Sequence, residues 1–239
     1  MADPDATTAP VAGEVWGLIR QGPDRAAFNM AFDEALLAAM PRLGRPVLRF
    51  YEWAEPAATF GYSQRYADVA RGTPLRPLIR RPTGGGLVAH DRSFTYTLAV
   101  PPAHAWYALR ARESYERIHD WLGQALRRQG WETELAPPTA AAVPGDCFVR
   151  PEQHDVLWRG VKVAGAAQRR TRSGLLIQGA VQLPADGPGA GAWRDAVLRL
   201  GAERWGIRWE ELAVPDWLAA RAEELTRQKY DTALHNEGR

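Results

Sequence analysis

Arg80-Arg81-Pro82-Thr83-Gly84-Gly85-Gly86-Leu87-Val88-Ala89-His90-Asp91 is the stretch on which the reading of this 239-residue chain turns. Three consecutive glycines stand between two extended, apolar runs. Glycine loses more backbone entropy on folding than any other residue. Such a run is justified where a main chain must lie flat against a ligand and leave its N–H groups free to bond it. Two arginines just before and a histidine just after bring charge and proton chemistry to the same bend. The combination reads as a substrate cradle, with a flexible β-turn as the alternative.

Working outward, residues 75–81 lead into the glycines as an extended run. Beyond them Phe94, Tyr96, Leu98 and Val100 alternate with Thr95, Thr97 and Ala99, the period of a half-buried strand. Upstream, 15–20, 47–51 and 58–62 read as short strands, and Asn29–Leu37 as a helix ended near Pro41. Downstream, Tyr115, Ile118, Trp121, Leu122, Ala125 and Leu126 fall at helical spacing, an aromatic stripe read as core. Val156–Trp158 and Val161–Val163 read as a hairpin, and Leu175, Ile177, Val181 and Leu183 alternate along a further strand. A Gly/Pro linker at 184–191 and helices at about 192–201 and 215–229 close the chain. Strands surround a few helices without regular βαβ alternation, so an α+β layer structure is expected.

Composition is that of a folded soluble protein, 46% hydrophobic and 24% charged. No apolar run reaches the roughly 18 residues of a membrane span. Residues 1–13 read as a disordered tail rather than a signal peptide, leaving 14–239 as a single domain. One cysteine makes no internal disulfide, which favours a cytoplasmic location. A formal charge of +2 is mildly basic, but no Lys/Arg block suggests a nucleic-acid track. The five histidines are scattered and there is one thiol, so no metal site is expected.

Of thirty basic residues only Lys162 and Lys229 are lysines. Retaining a lysine in such a chain suggests a position that wants a compact ammonium on a flexible stem. Cys147 lies in a Pro- and Ala-rich loop, between Asp146 and Phe148, fifteen residues before Lys162. A lone cysteine is often a buried small hydrophobe. As a nucleophile it must be a thiolate, and its free pKa of about 8.5 needs a neighbouring ammonium or base. Lys162 is one candidate for that group and His90 another. The small residues Val163-Ala164-Gly165-Ala166-Ala167 after the lysine leave room for a ligand chain, or for tight packing against a helix. A Walker P-loop and a Rossmann fingerprint are both absent.

Several of these segments, in order, resemble the biotin/lipoate protein ligase superfamily. They are Asn29-Met30-Ala31-Phe32-Asp33-Glu34-Ala35-Leu36, Leu48-Arg49-Phe50-Tyr51, Thr59-Phe60-Gly61-Tyr62-Ser63-Gln64, the Arg80–Asp91 loop, and Gly160-Val161-Lys162-Val163-Ala164-Gly165-Ala166-Ala167-Gln168-Arg169-Arg170. The resemblance implies a mixed, mostly antiparallel β-sheet flanked by α-helices, with an acyl chain held between the glycine loop and the lysine segment. Cys147-Phe148 with Pro151 and Asp155, and His90-Asp91-Arg92-Ser93-Phe94-Thr95-Tyr96-Thr97 with Pro101, resemble its cysteine-dependent octanoyl- and lipoyl-transferases more than its ATP-dependent lipoate ligases. Ser93 and His154 depart from the common transferase pattern.

The reaction so implied carries an octanoyl or lipoyl group from acyl carrier protein, through a thioester on Cys147, to a lysine of a lipoyl domain or glycine-cleavage H protein. Lys162 would lower the thiol pKa and polarise the carbonyl. Thr83, Gly84, Gly85, Gly86, His90, Gly165, Ala166 and Ala167 are the implied substrate-binding residues. Arg80 and Arg81 join them as groups to meet an acidic carrier protein, or else serve as sheet-edge charges. No cofactor is expected, and ATP enters only under the ligase alternative. Neither nucleic acid nor membrane is an expected partner.

Overall fold

The computed structural model describes residues 13–91, 93–138, 151–182 and 189–238. In chain order the elements are β1 (Val15–Asp24), α1 (Ala26–Leu43), β2 (Val47–Trp53), β3 (Ala58–Phe60), α2 (Tyr66–Gly72), β4 (Leu78–Arg80), β5 (Val88–Ala89) and β6 (Ser93–Val100). There follow α3 (Ala105–Ala108), α4 (Ala111–Arg127), β7 (Thr133–Leu135), β8 (Val156–Trp158), β9 (Val161–Thr171), β10 (Gly174–Gln182), α5 (Ala190–Trp205), β11 (Arg208–Glu211), α6 (Asp216–Leu225) and α7 (Ala233–Glu237). A π-helical turn, Thr226–Tyr230, joins the last two helices. The expected tail at 1–13 lies outside the described residues except Gly13, which is held: its N–H donates to the Gly206 carbonyl at 3.0 Å.

Eight strands form one sheet in the order β11-β1-β2-β6-β10-β9-β8-β7, and β4-β3-β5 form a second, smaller one. Pairing in the large sheet is antiparallel except where β1 meets β2 and β11. The fold is therefore the expected mixed, mostly antiparallel α+β structure. It does contain two βαβ units, β1-α1-β2 in the large sheet and β3-α2-β4 in the small one, because parallel neighbours need a crossover. The edge strand β11 carries no apolar alternation and was not expected. Among the described residues no helix is long and apolar enough to cross a membrane.

Side-chain alternation along the central strands sorts two cores. Leu48, Phe50, Tyr96, Leu98, Leu175 and Ile177 face α4 and α5, where Trp16, Trp106, Trp121, Trp193 and Trp205 are buried. Val47, Tyr51, Ala99 and Leu176 face α1 and α6. The β6 strand is thus buried on both faces rather than half-buried. Its threonines gave the impression of a wet face, yet they are paired: the Thr95 hydroxyl donates to the Tyr51 carbonyl and that of Thr97 to Asp33, both at 2.7 Å. The first helix runs through Pro41, in its last turn, to Gly44, whose positive φ of 66° closes it. Pro41 has no N–H to donate to the Leu37 carbonyl, so the helix gives up one bond of its ladder in that turn.

Beneath α1 lies a buried ion pair. Arg49 Nη1 donates to Asp33 Oδ1 at 2.6 Å, and neither side chain is exposed. Arg49 also donates to Gln21 and Asn29, and Asp33 Oδ2 accepts from Thr97 and, at 2.7 Å, from Gln178. On the opposite face His119 of α4 is fully buried, with neither ring nitrogen hydrogen-bonded. Burial, then the charge of Lys162, pushes its pKa down to about 3.

Two outcomes follow. Asp33→Ala strands the Arg49 charge in the interior and is expected to cost about 3–5 kcal/mol in urea unfolding. His119 stays neutral when folded but takes up a proton in the unfolded chain below about pH 6.5. The unfolded state then binds more protons, so stability falls as pH drops from there toward 3, by up to about 1.4 kcal/mol per pH unit from this residue. Urea unfolding at pH 7 and pH 5 should show His119→Leu with a shallower acid dependence than the parent.

Candidate functional site

Backbone contact fixes the glycine loop. A Cβ on Gly61, just beyond β3, would lie 1.9 Å from the Gly85 carbonyl oxygen, so the two main chains touch with no room for a side chain. Gly85 has φ +85°, a conformation that favours glycine. The Gly84 carbonyl accepts from Arg81 Nε at 3.0 Å and Nη2 at 2.6 Å. The Tyr62 N–H donates to the Thr83 carbonyl, and the Thr83 hydroxyl donates to Gln178 at 2.8 Å. These bonds tie the bend to β3 and β10. It is a held cradle rather than a free turn.

The lysine segment approaches along β9. The hairpin between β8 and β9 turns on Arg159 and Gly160, both at positive φ. Lys162 Nζ then lies 2.7 Å from Asp155 Oδ2, with the two side chains 5% and 0% exposed. Asp155 also accepts from the Tyr115 hydroxyl at 2.5 Å and the Glu152 N–H at 2.6 Å. Burial, then Asp155, pushes the Tyr115 pKa well above its ordinary value, so the phenol remains a donor. Gly165 makes the space: a Cβ there would meet Lys162 Cε at 2.6 Å and Nζ at 2.8 Å.

A cavity of about 290 Å³ lies between loop and strand. Of the residues expected from sequence, Lys162, Gly165, Ala166, Ala167, Gly85, Gly86, Arg81 and His90 line it. Thr83 and Gly84 brace it from behind. Arg80 does not belong to it. Its guanidinium is buried and donates to the carbonyls of Tyr62, Gln64, His235 and Asn236. It ties the C-terminal α7 to β4 and is not placed to meet a carrier protein. Arg81 is equally buried and faces the cavity instead. Cys147 lies outside the described residues; Glu152, five residues on, lines the cavity.

His90 is fixed by its neighbours. Its ring stacks on Trp53 at 3.8 Å, and its nitrogens meet the Thr59 hydroxyl at 2.8 Å and the Ser93 hydroxyl at 2.9 Å. Burial, then the Arg81 charge, holds its pKa well below the usual histidine range. Such an imidazole is a poor base near neutral pH; of the two candidates Lys162 is the one paired with a carboxylate, Asp155. Sequence reasoning missed Met30, Tyr51, Thr95, Gln178, Gly179 and Ala180, all in the lining. Gln178 carried a signal, a lone amide inside the apolar run Leu175–Val181. Tyr115 was read as core, yet its hydroxyl reaches the site.

Residues 25–198 match the family model described as the lipoyl protein ligase A/B catalytic domain. The chain belongs to this family. An octanoyltransferase LipM from Kyrpidia tusciae is 34% identical over 248 residues, covering 92% of this chain and 88% of that protein. The octanoyltransferase LipM of Bacillus cereus is 34% identical over 191 residues, covering 72% and 67%. Among solved structures, lipoate-protein ligase A bound with ATP superposes with a TM-score of 0.78 at 20% identity, over 95% of this chain and 99% of that one. A bi-partite lipoate protein ligase from Thermoplasma acidophilum does so with a TM-score of 0.70 at 20% identity, over 95% and 97%. At that identity the structures establish the fold.

The nearest atoms a Cβ at Gly165 would meet are the flexible end of Lys162, at 2.6 and 2.8 Å, and Asp155 Oδ1 at 3.1 Å, so Gly165→Ala should displace the ammonium. The expected result is a loss of turnover of roughly tenfold or more, for which a 1.4 kcal/mol rise in barrier suffices. Urea unfolding should show a loss of stability as well, of up to about 3–5 kcal/mol, the scale for separating a buried ion pair.

Proposed function

We propose that this chain is an octanoyltransferase of protein lipoylation, in which residues 14–239 act as one catalytic domain and Cys147 relays the acyl group. Membership of the lipoyl protein ligase A/B family and the octanoyltransferase relatives support the reaction class. They do not favour the ATP-dependent ligase alternative. The observation that carries the chemistry is the buried Lys162 ammonium, seated over Gly165 at a cavity floored by small residues.

The donor is octanoyl-acyl carrier protein. The Cys147 thiolate attacks the thioester carbonyl, the C–S bond to the phosphopantetheine breaks, and its thiolate leaves with a proton from water. Lys162 lowers the thiol pKa and faces the carbonyl oxygen as negative charge develops there. Asp155 holds that ammonium in place. The second step brings in the ε-amine of a lysine on a lipoyl domain or on glycine-cleavage H protein. A C–N bond forms, the bond to Cys147 breaks, and the amine gives up one proton to solvent. Thioester to amide runs downhill, so the cycle requires no nucleotide, metal or other cofactor. The single thiol suits the reducing cytoplasm.

Incubation of the pure protein with octanoyl-acyl carrier protein should add the mass of one octanoyl group. Hydroxylamine should remove it, and Cys147→Ser should not acquire it. Lys162→Ala should slow its appearance by at least about a hundredfold, the scale set by loss of one charge-stabilising group. An adduct that forms only from octanoate and ATP would establish the ligase reaction and end the relay.

A further inference from the structure

We infer that Tyr51 is the stop that sets the length of acyl chain this site accepts; the identity of the ligand as an acyl chain rests on the proposed transfer. The inference comes from strand register. Gly165 on β9 stands opposite Ala180 on β10, Ala180 opposite Thr95 on β6, and Thr95 opposite Tyr51 on β2. All four line the cavity. They form a single row running across the strands, on the face that also carries Met30 of α1.

The row begins beneath the Lys162 ammonium, which occupies the space a Gly165 side chain would take. Three interstrand gaps of about 4.8 Å then carry it roughly 14 Å to the Tyr51 backbone. Its intermediate members, Ala180 and Thr95, are small, so the floor is open until the tyrosine ring closes it. An eight-carbon chain has seven C–C bonds of about 1.5 Å and spans roughly 9 Å when extended. With its carbonyl at Lys162, the chain's methyl end reaches the Tyr51 ring and no further.

A stop must also be rigid, and this one is. Arg49 lies 3.9 Å over the Tyr51 ring, Trp53 packs at 5.7 Å, and the hydroxyl donates to Asp33 at 3.4 Å. The Tyr51 carbonyl accepts from Thr95 at 2.7 Å, so ring and floor are tied together. A flexible residue such as Met30 would yield to a longer chain; a ring held on one side by a buried ion pair does not.

The test compares hexanoyl, octanoyl and decanoyl chains in the full-length protein, both as free acids by calorimetric binding and as acyl-carrier-protein donors in competitive transfer. One methylene in a fitted apolar pocket is worth about tenfold or more. Tyr51→Leu should raise the decanoyl-to-octanoyl ratio by at least about tenfold, and Ala180→Val, which shortens the groove, should raise the hexanoyl-to-octanoyl ratio similarly. These opposite shifts distinguish a length stop from general damage. An unchanged profile, or equal losses at every length, overturns the inference. If Tyr51→Leu does not fold, Ala180→Val decides alone. Should the binding profiles shift while no acyl group is transferred, the stop stands and the proposed reaction falls.

Discussion

Under the first helix a carboxylate and a guanidinium face one another with no access to water, and the positions of the strands around the cavity follow from that contact. Taking two charges out of water costs several kcal/mol per ion, and the attraction between them repays it only when the remaining lone pairs and protons are also satisfied. Here they are. Arg49 reaches Gln21 and Asn29, while Asp33 reaches Thr97 and Gln178. The network joins α1 to β1, β2, β6 and β10 at one level of the sheet. Apolar residues of similar volume would stabilise that interface equally well. They would not fix the direction of Tyr51 and Gln178, and those two side chains give the cavity its far wall and its link to the glycine loop.

The opening between loop and sheet depends on missing side chains rather than on any hinge. Gly61 meets Gly85 main chain to main chain, Gly165 makes way for the Lys162 ammonium, and Gly179 makes way for the Tyr96 ring. Each glycine surrenders backbone entropy, and each lies where another group must pass. Three consecutive glycines in the sequence announced one of these approaches. The isolated ones gave no comparable signal, because what makes Gly61 or Gly179 special is a neighbour from a distant segment.

That distinction sets how much of the molecule could be read in advance. The glycine loop, the lysine segment and the amphipathic α4 were legible because their information is local: a run of one residue type, a rare lysine, a helical period. The polar side of β6 was misjudged because buried threonines look solvated until their partners, Tyr51 and Asp33, are known. The edge strand β11 escaped notice because Arg208–Glu211 is four residues long and carries a single apolar side chain, Trp209, whose packing on Trp16 and Trp121 no local pattern records. Arg80 was misassigned for a related reason. Beside a candidate binding loop an arginine suggests an anion, but its donors are taken by carbonyls, two of them from His235 and Asn236 at the far end of the chain. No local pattern records that a C-terminal turn will arrive there.

The rarity of lysine illustrates how sequence and geometry divide the work. Both lysines sit against carboxylates, Lys162 on Asp155 and Lys229 on Glu34 at 2.6 Å. Composition singled out the two equally. Lys229 helps hold the C-terminal turn, with Tyr230 bonding the same Glu34, and lies away from the cavity. Lys162 lines it. The room above Gly165 admits a compact ammonium at the end of a flexible stem, whereas a planar guanidinium needs width for its fork. An arginine at 162 would keep the charge but push its head into Asp155 or out over the cavity. At 162 a compact cation lies against Asp155 and lines a cavity that also takes in Arg81 and Glu152.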